Sequence, residues 1–138
     1  MDVLLSIKPK FAMAIFSGEK KFEYRRTIFK EPVNRIIVYA SSPMKMVIGE
    51  FFVNGVLFDD LGLLWGQTKQ HSGISESYFY SYFSEKDKGY AIKIGHVTRY
   101  QEPAQLDELL GIKPPQSFAY VKKQFSMAIQ PDLVQLPK

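Results

Sequence analysis

The apolar residues of this chain fall into short, closely spaced patterns. Residues 3–7 form an apolar, β-prone run that Lys8-Pro9-Lys10 interrupts, because proline lacks the amide a ladder requires. Phe11, Ala14 and Ile15 then fall at helical spacing, with Ala12, Met13 and Phe16 adding apolar surface. Pro9 suits a first helical turn and Gly18 the position just past the last, which predicts a helix over residues 9–17. Residues 21–26 alternate as a strand does, with Phe22 and Tyr24 on one side and Lys21, Glu23 and Arg25 on the other. Residues 34–40, around Ile36-Ile37-Val38-Tyr39, predict a further strand. Residues 46–58 read as a long strand or bent pair, with Gly49 and Gly55 at bulges or bends.

Residues 59–88 break the strand rhythm and read as a helical insertion. Leu61, Leu64 and Trp65 share one helical face. Ser75 is a favourable N-cap for a helix over residues 76–83, with Ile74 and Phe79 placed to staple it. Strand alternation returns over 89–100, and a short helix over 103–110 stops at Gly111. Pro114-Pro115 is extended, and residues 117–121 lead into a last strand near 125–129. The predicted order is β-α-β-β-β, helices, then β-α-β. Strands that follow one another without crossover helices favour a mostly antiparallel sheet. The expectation is an α+β fold, a small curled sheet or barrel with peripheral helices. Residues 1–125 make the domain, and 126–138 hold the last strand and a loose tail.

A length of 138 residues suits one domain, and 46% hydrophobic with 23% charged residues is a globular composition. No apolar run approaches the roughly 20 residues of a membrane helix, and no basic leader precedes the first apolar residues. Neither a membrane partner nor a signal peptide is therefore expected. The absence of cysteine excludes thiol chemistry and disulfides and fits a reducing cytoplasm.

Charge changes the picture by its distribution. Residues 1–35 hold Lys8, Lys10, Lys20, Lys21, Arg25, Arg26, Lys30 and Arg35 against Asp2, Glu19, Glu23 and Glu31, eight minus four or +4. The other residues hold ten bases and ten acids, so the whole excess sits in the first quarter. A localised excess points to a polyanionic partner.

Most chemical motifs are missing. His71 and His96 are isolated from any carboxylate cluster, so no metal site is expected. No phosphate loop, dinucleotide glycine pattern or nucleophile elbow occurs, and no cofactor is implied. What remains is Gly18-Glu19-Lys20-Lys21-Phe22-Glu23-Tyr24-Arg25-Arg26. Glu23 and Arg25, two apart on a strand, share a face, and Arg25 can hold Glu23 ionised. Lys20 sits at the helix-to-strand junction, where alternation does not fix its direction. Turned into the same cleft, it would meet a phosphate or a base edge, or do general acid–base work with Glu23. A solvated surface strand of weakly paired charges is the other reading.

The same segment matches the pattern Gly-x-Lys-x-x-Glu-x-Arg and resembles the ASCH domain family of the PUA-like superfamily. The upstream Ser6-Ile7-Lys8-Pro9-Lys10-Phe11-Ala12 is similar to that family's opening strand and first helix. Pro114-Pro115-Gln116-Ser117-Phe118-Ala119-Tyr120-Val121 resembles a segment of members described as transcriptional regulators. Together the likenesses span residues 3–125. The resemblance implies a PUA-like, mostly antiparallel β-barrel with a cleft beside the first helix. It implies binding of RNA or another nucleic acid, with a regulatory role in transcription or translation. By motif position Lys20, Glu23 and Arg25 line the cleft, Gly18 permits the turn before them, and Arg26 extends the basic rim. Lys8 and the Ser41-Ser42 turn are further candidates, and Tyr39 or Trp65 could stack on a base. Some members resemble amidohydrolases of acetylated cytidine that use a lysine, a threonine three residues later and a distant glutamate. Here Lys20 is followed at that spacing by Glu23, which removes the nucleophile. Other members are linked to RNA cleavage, for which Lys20 and Glu23 are the candidate acid–base pair. An interaction module whose basic face meets an acidic protein is the third reading.

Overall fold

A computed structural model describes residues 1–121. The last strand expected near residues 125–129 and the tail to 138 lie outside the described residues. Six strands and four α-helices follow in chain order: β1 (Asp2–Ile7), α1 (Pro9–Ser17), β2 (Phe22–Arg25), β3 (Arg35–Ala40), β4 (Met46–Asp60), α2 (Leu61–Thr68), α3 (Glu76–Tyr82), β5 (Lys88–Ala104), α4 (Leu106–Leu110) and β6 (Phe118–Val121). From β1 to α4 the elements follow in the expected order, and β6 lies on the segment expected only to lead into the last strand. The strand expected over 89–100 continues through Pro103 to Ala104, so the following helix is shorter than expected and starts at Leu106.

The sheet runs β2-β5-β4-β3-β1-β6. It is mostly antiparallel, with one parallel pair, β1 with β3. That exception has a sequence cause. Val3-Leu4-Leu5 and Ile36-Ile37-Val38 are continuous apolar runs rather than alternating ones, and every one of these residues is buried. One face of the pair packs Val3, Leu5, Ile36 and Val38 against Ala12 and Ile15 of α1. The other packs Leu4 and Ile37 with Leu106 and Leu110 of α4. Strands buried on both faces read as continuous runs, as parallel strands usually do.

The expected barrel is not closed. Among the described residues β2 and β6 are the two edges and no ladder joins them. β2 is four residues long, and a charged side chain stands in the seam between the two edges. Arg25 of β2 donates through Nη2 to the Ser6 carbonyl of β1 at 2.8 Å and through Nη1 to Ser117 Oγ at 3.4 Å.

The insertion folds as α2, a single 3-10 turn (Lys69–His71) and α3. Ser75 caps α3, its hydroxyl accepting from the Tyr78 amide at 3.1 Å. Leu64, Phe79 and Phe83 pack on Tyr24 and Ala91, with Ile74 and Trp65 at the edge of this cluster. Burying an aromatic side chain of this size contributes roughly 2–3 kcal/mol, so Phe79 and Phe83 together fasten the insertion to the sheet. Gly73 lets it approach closely: its φ is +69°, and a Cβ there would lie 2.6 Å from Lys20 Cβ.

Candidate functional site

The open seam of the sheet is a cleft of about 520 Å³, bordered by five parts of the chain. Ser6, Ile7 and Lys8 come from the end of β1, and Phe11 from α1. Lys20, Glu23, Tyr24 and Arg25 come from β2 and the turn before it. Tyr39, Ser41, Ser42 and Lys45 come from the end of β3 and the turn into β4. Ile74, Tyr78 and Tyr82 are supplied by the insertion, and 114–116 close the rim ahead of β6.

The strand parity of β2 is as the alternation predicts. Phe22 and Tyr24 pack into the aromatic cluster under the insertion. Glu23 and Arg25 share the opposite side, with Arg25 Nε 3.3 Å from Glu23 Oε2. That contact is an ion pair without a hydrogen bond, since the buried Arg25 Nε has no aligned acceptor. The terminal nitrogens of Arg25 are committed to Ser6 and Ser117 across the seam.

Lys20 is turned inward and is 2% exposed. Its Nζ donates to the Ser72 carbonyl at 2.8 Å and lies 4.8 Å from the Tyr24 ring and 5.3 Å from the Phe11 ring. Burial pulls its pKa down to about 8, opposed by the nearby Glu23 charge and assisted by Arg25. Lys20 therefore pins the insertion to β2 and keeps a labile proton near neutral pH. It is not in ion-pair contact with Glu23. Burial also raises the Tyr24 hydroxyl to about 12, which stays protonated and donates to Thr68 Oγ1 at 2.7 Å.

Of the other residues expected at the site, Lys8, Ser41 and Ser42 border the cleft. Lys8 stands at the mouth, 3.4 Å from the Tyr78 hydroxyl and over that ring. The Ser41 amide donates to the Ile7 carbonyl at 2.9 Å, which ties the turn to the end of β1. Gly18 acts from behind: at φ +87° it ends α1, its N–H reaching the Ile15 carbonyl. Arg26 points away and lies 3.4 Å from the Ser84 carbonyl. Tyr39 borders the cleft, although it is buried with Leu4 and Ile37. Trp65 does not border it, and packs on Phe79 at 4.9 Å instead.

Sequence reasoning missed Lys45, Tyr78 and Tyr82. Lys45 is exposed, and its left-handed backbone (φ 54°) follows from the tight turn that begins at Ser41. The non-glycine at that turn was the available signal. Tyr78 and Tyr82 are four apart on α3, so they share a helical face. Which way that face looked was not readable from spacing. Among the described residues no cluster of three or more His, Asp or Glu could hold a metal ion. Among the same residues no helix is long and apolar enough to cross a membrane.

The family model described as ASCH domain matches residues 5–116. An "ASCH domain-containing ribonuclease" of Zymomonas mobilis is 32% identical over 128 residues, covering 89% of this chain and 86% of that protein. A crystal structure of ASCH from Zymomonas mobilis superposes with a TM-score of 0.88 at 29% identity, covering 97% of this chain and 96% of that one. "Large ribosomal subunit protein uL22" of Ureaplasma parvum is 31% identical over 121 residues, 87% of this chain. The chain spans only 39% of the length of that relative. The N-terminal domain of Staphylothermus marinus McrB shares the fold alone, with a TM-score of 0.58 at 16% identity.

Proposed function

The chain belongs to the ASCH domain family, and from that premise we propose that its cleft binds single-stranded RNA. The observation that carries this reading is the open seam itself. A cavity of about 520 Å³ puts Lys8 and Lys45 at its mouth and the rings of Phe11, Tyr78 and Tyr82 along its wall. Cations beside aromatic faces are what a flexible strand of phosphates and splayed bases requires. A duplex offers neither free bases nor a way into such a cleft. A regulatory role in transcription or translation would act through this binding. The test is the anisotropy of a labelled single-stranded RNA at rising salt. Affinity should fall steeply, because phosphate contacts release counterions. Salt-independent binding, or equal affinity for duplex DNA, would count against it.

A second reading, RNA cleavage, is favoured by the Zymomonas ribonuclease, which matches this chain nearly end to end. Cleavage without a metal needs one group to take the 2′-hydroxyl proton and another to protonate the departing 5′-oxygen. Glu23 and Lys20 border the same cleft, and burial brings the lysine down to about 8. For Lys20 to serve, its hydrogen bond to Ser72 must open. Incubating RNA with the wild type and with Glu23→Gln separates the readings. Loss of turnover in the variant with binding retained supports this pair, and turnover that survives removes Glu23 from the chemistry.

A further inference from the structure

The cleft holds an acceptor that the fold leaves unused. Glu23 is 7% exposed and borders the cavity, yet among the described residues no hydrogen bond ends on its carboxylate. Arg25 Nε lies 3.3 Å from Oε2 but is misaligned, and it finds no hydrogen bond elsewhere. Lys20 Nζ is held by Ser72. An ionised carboxylate only accepts, and a buried one without donors is costly. Arg25 lies beside the carboxylate without donating to it, so Glu23 borders the cavity with its acceptors unused.

What would complete Glu23 is a flat group bearing two adjacent N–H donors on one edge, resting against the cleft wall that Phe11, Tyr78 and Tyr82 line. Among the four RNA bases only guanine has that edge, with N1–H beside the N2 amino group. Adenine and cytosine set one amino group beside a ring nitrogen acceptor. Uracil sets one N–H between two carbonyl oxygens. Each of those acceptors would face the carboxylate and be repelled.

We propose that the cleft reads guanine, Glu23 accepting from N1–H and the N2 amino group while Lys8 and Lys45 meet the attached phosphates. This rests on the RNA reading above and gives it a base preference. Guanosine, inosine, adenosine and uridine monophosphates, each competing against a labelled single-stranded RNA, test it. Inosine lacks only the N2 amino group, so it should compete about tenfold less well than guanosine, one charge-assisted hydrogen bond being lost. Adenosine and uridine should be weaker still. In Glu23→Gln, one acceptor becomes a donor, and the guanosine-to-inosine ratio should fall below about threefold while the salt dependence of RNA binding persists. RNA binding with four equal nucleotides overturns the guanine assignment and leaves the RNA reading standing. Failure of RNA and nucleotides alike overturns both. The wild-type series decides the base preference even if the variant folds poorly, and a preference undiminished in a folded Glu23→Gln removes Glu23 as the reader.

Discussion

Two arginine–carboxylate clusters sit on this sheet, and they are finished differently. In the first, Arg35 of β3 donates to Asp2 Oδ2 at 3.1 Å and 2.6 Å through Nε and Nη2, and to Glu50 Oε1 at 3.2 Å through Nη1. Tyr100 adds its hydroxyl to the same Glu50 oxygen at 2.9 Å. Burial, and then the Glu50 charge, push that tyrosine far above its ordinary range, so it remains a donor. Both carboxylates are answered from within the fold. In the second cluster, Arg25 reaches across the seam to Ser6 and Ser117 and leaves Glu23 with a misaligned ion pair facing a cavity. Composition does not separate the two. A closed network is complete without a ligand and holds strands together, while an open one has capacity left for a partner.

The largest expected effect tests the closed cluster. Arg35→Met strips the charge partner from Glu50 and Asp2 and should cost about 3 kcal/mol in urea unfolding. RNA affinity of the folded variant should stay within about twofold. A tenfold loss of affinity without loss of stability would erase the distinction between the clusters.

Next in size is the buried lysine beside the open cluster. Lys20 holds its proton less tightly in the folded protein, at about 8, than in the unfolded chain, at 10.5. Its destabilising effect is therefore full below pH 8 and fades as pH rises, because the unfolded state binds more protons in between. Stability of the wild type should rise by about 2 kcal/mol more than that of Lys20→Met between pH 8 and 10. Parallel pH profiles from denaturant titrations would mean that Lys20 is solvated.

The mouth of the cleft gives a smaller change. Lys8→Ala with Lys45→Ala should leave stability unchanged within about 0.5 kcal/mol, since both residues are exposed. RNA affinity should weaken about tenfold, and the slope of log K against log salt should shrink by about 1.4, two phosphates on a single strand. An unchanged slope would move the phosphate path elsewhere. The smallest effect is expected at Arg26, which is exposed and turned to Ser84. Arg26→Ala should alter RNA affinity by less than about twofold, so a larger loss would extend the open cluster beyond the cleft.

Much of this arrangement was legible from local rules. The Pro9 and Gly18 boundaries of α1, the Ser75 cap of α3 and the parity of Glu23 and Arg25 depend on backbone geometry within a few residues. Register shifts in the β4–β5 ladder adjoin Gly49 and Gly55, where the glycines suggested bulges. The same rules misplaced the start of α4, because pairing with β4 carries β5 past Pro103 to Ala104. They also placed Arg26 and Trp65 at the site, since charge and aromaticity do not tell which way a side chain faces. The barrel was over-read because an edge strand looks like any other until its partner is known.

The sequence by itself determined the elements, their order, the localised positive charge and the shared face of Glu23 and Arg25, all properties of neighbours along the chain. Only the tertiary structure decided that β2 and β6 stay apart, that Lys20 turns inward to Ser72, and that Tyr78 and Tyr82 line the same cleft as Glu23. Those contacts join residues about 50 to 110 positions apart. They depend on which surfaces can be buried together, and no local pattern of apolar and polar residues encodes that choice.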